Sequence, residues 1–202
     1  MPDPTIANGS SVDGLPRHTA RMRVLVVAAT VIELEWVEGR ETLVVGVGPV
    51  EAAAGTAARL AEDPPDAVLH VGIAGARSDA GIAIGEVVLG TESRYVDLRA
   101  ALPTLVSACL PDPELLERVG AALPDARRLP IATSAVVGGG SGCEVEAMEG
   151  FAVLRACARA GVPALELRAI SNLADEPDRS RWDFAGGLAA LAAAGRRALD
   201  AL

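Results

Sequence analysis

From residue 22 onward, short continuous apolar runs alternate with longer stretches in which apolar residues recur every three to four positions. Residues 23–28 (RVLVVA), 42–47, 67–71, 85–89 with an extension to Tyr95, and 164–170 are dominated by Val, Leu and Ile and read as strands. Residues 129–137 read as extended. Between them, residues 31–37, 50–61, 113–122 and 146–160 carry a helical period, and a last helix starts at about Phe184. Continuous apolar strands bounded by helices require a sheet covered on both faces. The pattern therefore predicts one α/β domain over residues 22–202, preceded by a polar, Pro/Gly/Ser-containing disordered leader over residues 1–21 that lacks the apolar run of a signal peptide.

Three glycine-rich stretches follow strands. Gly46-Val47-Gly48 is similar to a dinucleotide fingerprint, but it follows the second strand and is broken by Pro49, which argues against a nicotinamide site. Gly72-Ile73-Ala74-Gly75-Ala76 reads as a turn after the third strand. Its small residues either admit a flat ligand at Ala74 and Gly75 or let strand and helix pack tightly. Residues 138–142 (GGGSG) read as a flexible connector.

Composition narrows the chemistry. Half of the 202 residues are hydrophobic and only Trp36, Tyr95, Phe151, Trp182 and Phe184 are aromatic, so the core must be built from Ala, Val, Leu and Ile. The formal charge of −9 disfavours nucleic acid as a partner. All basic side chains are arginines, which excludes Schiff-base chemistry and a lysine-bearing phosphate loop. Cys109, Cys143 and Cys157 match neither a disulfide framework nor a zinc site and read as reduced thiols, and His18 and His70 are too few for a histidine-built metal centre. Counting alone leaves a Cys-His nucleophile pair open. No segment is long and apolar enough to span a membrane.

Glu149 lies inside an otherwise apolar helical face. Projected at about a hundred degrees per residue, Val153, Ala156 and Ala160 cluster around it, while Arg155 and Arg159 fall on the opposite side. A carboxylate turned toward a core is costly unless something polar meets it. Two readings stay open: ligand hydroxyls meet it, or the N–H groups and dipole of the helix start hold it. Shortly downstream, a strand ends in the polar pair Ser171-Asn172, at the end of the sheet where α/β folds bind ligands.

Taken in order, VVGVGPVEAA, LHVGIAGA, IGEVVL, VEAMEGFAV and LRAISNLAD resemble the nucleoside phosphorylase and nucleosidase superfamily from Met22 almost to the C-terminus. Within it, EAMEGFAV, Ser171-Asn172 and the segment Asp178-Arg179-Ser180-Arg181-Trp182 look most like the futalosine hydrolases, which remove hypoxanthine from futalosine in menaquinone biosynthesis. The resemblance implies a three-layer α/β/α sandwich around a mixed central β-sheet, phosphorylase/hydrolase-like. It also implies a cytoplasmic homo-oligomer, dimeric or larger, that acts on a small purine nucleoside without cofactor or metal. Other purine nucleosidases or phosphorylases, of the inosine or methylthioadenosine type, remain alternatives. So does a catalytically weak nucleoside-binding protein on the same scaffold.

The resemblance also implies roles. Glu33, with Glu35 as its rival, would orient the attacking water, and Glu149 would accept hydrogen bonds from the ribose hydroxyls with Met148 packed on the sugar. Adenine-specific relatives carry aspartate where this chain has Asn172, whose amide suits the N7 and O6 acceptors of a 6-oxopurine. The glycine and arginine with which phosphorylases hold phosphate are missing from residues 28–33, so water is the expected nucleophile. Phe151, or a partner subunit, would supply the aromatic that the short segment between Leu129 and Glu146 lacks. Arg179 or Arg181 would hold the substrate's benzoate or order a lid; the alternative is a plain salt bridge to Asp178 or Asp183.

Overall fold

The computed structural model describes residues 22–202 apart from 99, 101, 103 and 139–141; the expected leader and the middle of the 138–142 connector lie outside the described residues. Among the described residues, strands β1 (Val24–Ala28), β2 (Glu41–Val44), β3 (Ala67–Ala76), β4 (Val87–Tyr95), β5 (Ala108–Cys109), β6 (Arg127–Thr133), β7 (Val145–Ala147) and β8 (Ala164–Leu173) form one mixed sheet. β1 runs parallel to β2 and β3, β3 to β8, and β4 to β6, whereas β4 is antiparallel to β5 and β8. The short β7 pairs with β3 on one side and β6 on the other. With β8 against both β3 and β4, the strands β3, β8, β4, β6 and β7 close into a ring.

Helices cover both faces, as the apolar runs required. Val24, Val26 and Ala28 of β1 pack with Leu191, Ala194 and Ala198 of α4 (Phe184–Asp200), beside Leu115 and Val119 of α2 (Pro113–Ala122). Leu25 and Val27 point the other way, onto Ala52 and Leu60 of α1 (Pro49–Glu62) and Val153 and Cys157 of α3 (Gly150–Ala160). The ring interior is filled by Ala74, Ala76, Val88, Ile131, Val145 and Ile170. The period-2 alternation of β1 thus serves two cores at once.

Several expected boundaries move; the extended stretch expected over 129–137 is β6, Arg127–Thr133, and the helix expected over 31–37 is a 3-10 turn, Val31–Leu34. β2 stops at Val44 because Gly46 and Gly48 take φ of 88° and 96°, which bend the chain out of the sheet. β3 does not turn at Gly72 but runs on to Ala76, and neither Gly72 nor Gly75 has a positive φ. A Cβ on Gly72 would strike the Arg168 guanidinium, and one on Gly75 would crowd the Asn172 amide. These glycines therefore clear space for neighbouring side chains. The helix expected from residue 146 starts at Gly150, because Val145–Ala147 is drawn into the sheet between Ala76 and Ile131. β8 extends through Ser171 and Asn172 to Leu173.

Candidate active site

The carboxyl ends of β1, β3 and β8, with β7 and the loop before α1, surround a cavity of about 490 Å³. Glu33 reaches it from a 3-10 turn, Val31–Leu34, directly after β1. Its Oε1 accepts the Ile73 N–H at 3.0 Å, and its Oε2 accepts from Thr30 N at 3.0 Å and Thr30 Oγ1 at 2.8 Å. Trp36 Nε1 donates to the Glu33 carbonyl at 2.7 Å and pins the turn. Glu35 faces solvent. Three donors hold this buried carboxylate rigidly and leave it acceptor capacity with which to orient a water molecule.

Glu149 is the residue before the first turn of α3, yet its side chain makes no bond to the helix N–H groups. Oε1 accepts the Gly48 N–H at 3.0 Å, and Oε2 lies 3.6 Å from Arg168 Nη2. The apolar face itself is present, with Val153 and Ala156 buried, but Glu149 stands ahead of it at the N-cap, and a loop 101 positions upstream supplies its partner. Burial pushes its pKa up, the Arg168 charge and the Gly48 N–H oppose this, Glu33 and Glu166 add to the rise, and the net shift is upward.

A bulge in the pairing of β3 with β8 matches Ala74 to Ile170 but Gly75 to Asn172, leaving Ser171 extra. The irregularity aims Asn172 into the cavity. Ser171 Oγ donates to Asn172 Oδ1 at 2.9 Å and Asn172 Nδ2 donates to Leu173 O at 3.0 Å, so one amide hydrogen is left for a ligand. Ala74, Gly75, Met148 and Ser171 also line the cavity.

Two expected site residues are not brought there. Phe151 is buried between α3 and the sheet, stacked on Tyr95 with centroids 5.4 Å apart. The aromatic side chains at the cavity are Trp182 and Phe184, with centroids 5.6 Å apart. Arg181 points away and pairs with Glu176 at 2.8 Å, whereas Arg179 lines the cavity with its guanidinium 5.4 Å from the Trp182 ring centre. Asp178 and Asp183, anticipated as salt-bridge partners, cap instead the turn Arg179–Arg181 and α4.

Behind Glu33 and Glu149 lies a polar layer that the sequence reading passed over. Arg168, Glu166, His70 and Ser93 are buried there. Glu166 and Arg168 stand two residues apart in a strand that is otherwise apolar up to its polar end, which places both on one face. That charged pair was the available signal. None of the three cysteines lines the cavity; burial raises the thiol pKa of each, that of Cys157 to about 12, so a Cys-His nucleophile has no support. Among the described residues, no group of His, Cys, Asp and Glu could hold a metal ion, and no helix is long and apolar enough to cross a membrane.

The sequence pattern of the phosphorylase superfamily matches residues 27–202. Futalosine hydrolase of Streptomyces coelicolor is 35% identical over 181 residues, covering 76% of this chain and 76% of that protein. The native structure of futalosine hydrolase of Helicobacter pylori superposes with a TM-score of 0.79 at 16% identity, covering 90% of this chain and 99% of that one. A 5′-methylthioadenosine/S-adenosylhomocysteine nucleosidase of Colwellia psychrerythraea, in complex with adenine, gives 0.76 at 20% identity, covering 91% and 96%. At such identities the two structures establish the fold alone.

Proposed function

The chain belongs to the phosphorylase superfamily and, within it, to the futalosine hydrolases; on that premise we propose that it hydrolyses the N-glycosidic bond of futalosine and releases hypoxanthine, a step of menaquinone biosynthesis. The observation that carries this reading is the convergence of Glu33, Glu149 and Asn172 on one cavity. Glu149 Oε2 accepts the ribose hydroxyls and, with Glu33, stabilises the positive charge that builds on the sugar as the bond to the base lengthens. Glu33 orients a water whose oxygen bonds to the anomeric carbon and whose proton passes to the carboxylate. The electron pair of the broken bond leaves with the purine, where the Asn172 amide hydrogen meets N7 or O6, and a proton from solvent, in place of the one held by Glu33, completes neutral hypoxanthine. Met148 packs on the sugar, and Ala74 and Gly75 let the flat base lie against the backbone.

Water outranks phosphate as nucleophile because the wall where phosphate would sit carries Glu33 and the apolar Ala29 and Ile32, with no arginine in that turn. Trp182 and Phe184 give the cavity an apolar end, and Arg179, which lines the same cavity, would meet the benzoate. The same reading takes the protein to be a homo-oligomer, dimeric or larger, as the family resemblance implies. The proposed setting is the cytoplasm.

The test is base release from futalosine, inosine and methylthioadenosine, each with and without phosphate. Hypoxanthine release from futalosine, faster than base release from the other two and indifferent to phosphate, is the expected result. Strict phosphate dependence, or ligand-induced thermal stabilisation without turnover, rejects it. In the same assay Arg179→Ala should raise KM for futalosine roughly tenfold, the worth of a charge-assisted hydrogen bond, and leave KM for inosine unchanged. Equal losses on both substrates reduce Arg179 to a structural role.

A further inference from the structure

Arg168 is wholly buried and faces Glu166 and Glu149, with Glu33 nearby, so one cation serves three buried carboxylates. Its Nε donates to Glu166 Oε1 at 2.9 Å, and the other oxygen of Glu166 accepts from Ser93 Oγ. Arg168 Nη2 lies 2.5 Å from His70 Nε2, and His70 Nδ1 lies 3.0 Å from the Val27 carbonyl. A guanidinium only donates and a carbonyl only accepts, so the imidazole proton sits on Nδ1 and Nε2 accepts from Arg168. Burial, reinforced by the Arg168 charge, holds the His70 pKa well below its ordinary value, in keeping with this neutral tautomer. Glycines make the space: a Cβ on Gly72 would strike Arg168, and one on Gly150 would strike the Glu166 carboxylate. The result is a guanidinium tied from behind. Its Nη2 stands 3.6 Å from Glu149 Oε2, too far for a hydrogen bond but close enough for its charge to be felt.

We propose that Glu166, Ser93 and His70 form a clamp that holds Arg168 short of Glu149, so that Arg168 lends the site carboxylate its charge while leaving Oε2 free for ligand hydroxyls. The functional half of this rests on the reading of Glu149 as the sugar-binding group. Arg168 and its partners are positioning residues, none of which lines the cavity. The groups facing Glu149 are Arg168 and Glu166 from β8, Glu33 from the turn after β1 and the Gly48 N–H before α1. If the clamp loosens, Arg168 closes on Oε2, favours its ionised form more strongly and competes with the ligand for it.

The experiment uses the full chain with His70→Phe, His70→Asn, Glu166→Gln and Arg168→Met. Two readouts are taken: KM and kcat for futalosine across pH, and the 13C carboxyl titration of Glu149, assigned by its loss in Glu149→Gln. His70→Phe changes no charge and removes the acceptor opposite Nη2. It should raise KM on the order of tenfold, change kcat less, and move the Glu149 titration to lower pH. Glu166→Gln keeps an acceptor for Nε but weakens the hold on Arg168. Because its lost charge lowers the Glu149 titration by itself, only its KM, expected to rise in the same way, carries the test if His70→Phe does not fold. Arg168→Met should move the titration the opposite way, to higher pH. His70→Asn restores an amide oxygen and should return KM toward that of the unaltered protein. Folded His70→Phe protein with unchanged KM and an unmoved Glu149 titration, or folded Glu166→Gln protein with unchanged KM, overturns the clamp. Shifted titrations in a chain that never releases hypoxanthine from futalosine leave the clamp standing and reject the functional reading instead.

Discussion

At Asn172 the choice between an amide and an acid bears directly on which purine the site suits. The amide is oriented by Ser171 Oγ and Leu173 O, and one of its hydrogens stays free at a residue that lines the cavity. Asn172→Asp should lower hydrolysis of futalosine by about tenfold or more, the worth of one hydrogen bond to the leaving base, and raise the methylthioadenosine-to-futalosine rate ratio. Chromatographic measurement of both released bases checks this, and an unchanged ratio rejects the role. The candidacy of Asn172 was legible because it stands in a short local motif. Its partners were not, since the bulge that aims it depends on how β8 pairs with β3.

Among the elements, the short turn after β1 separates two glutamates that the sequence could not rank by pattern alone. Glu33 is tied to Ile73 and Thr30, while Glu35 is exposed. Glu33→Ala should therefore cost ~10²–10⁴-fold in kcat, with Glu35→Ala near unaltered activity in the same assay; the reverse outcome would mean that the wrong carboxylate has been placed at the water. The start of α3 is a second case. Alanine is the better helix former by roughly 1 kcal/mol, but a methyl group on Gly150 meets the Glu166 carboxylate. Gly150→Ala should destabilise the protein by about 1–3 kcal/mol, the usual cost of overpacking, as read from urea unfolding. A gain in stability would show that the Glu166 side chain yields freely.

Across the whole molecule, burying an imidazole beside a guanidinium makes stability depend on pH. The His70 pKa is depressed below its ordinary 6.5 in the folded chain. Between the two values the unfolded chain holds a proton that the native one does not, so stability is present above about pH 6.5 and is lost as pH falls below it. The raised Glu149 pKa acts in the opposite sense: its native state holds the extra proton, and acidification through that window favours folding. His70→Asn should remove a slope of at most about 1.4 kcal/mol per pH unit, seen as a flatter fall of unfolding free energy between neutral and mildly acidic pH. An identical pH dependence in the two proteins would reject a neutral buried His70.

What the sequence determined by itself was whatever is local or periodic. The order of strands and helices from residue 22 follows from apolar period, because that period records how many faces of each element must leave water. Glu149 and Asn172 stood out because each belongs to a short motif, and Glu33 only through the place after the first strand that the family resemblance implies. Tertiary structure alone decided the rest. Closure of the ring turns on β7, three residues whose V-E-A pattern is too short to distinguish strand from helix without Gly75 and Ile131 beside it. Gly72, Gly75 and Gly150 could have been turns, but they are clearances for side chains from β8. Phe151 and Trp182 are both aromatic residues near motifs, and only the fold sends one to the core and the other to the cavity. Arg168 and His70 meet across 98 positions of chain. Period tells each residue which face it occupies, but not which distant residue will share that face; the pairing of strands decides that.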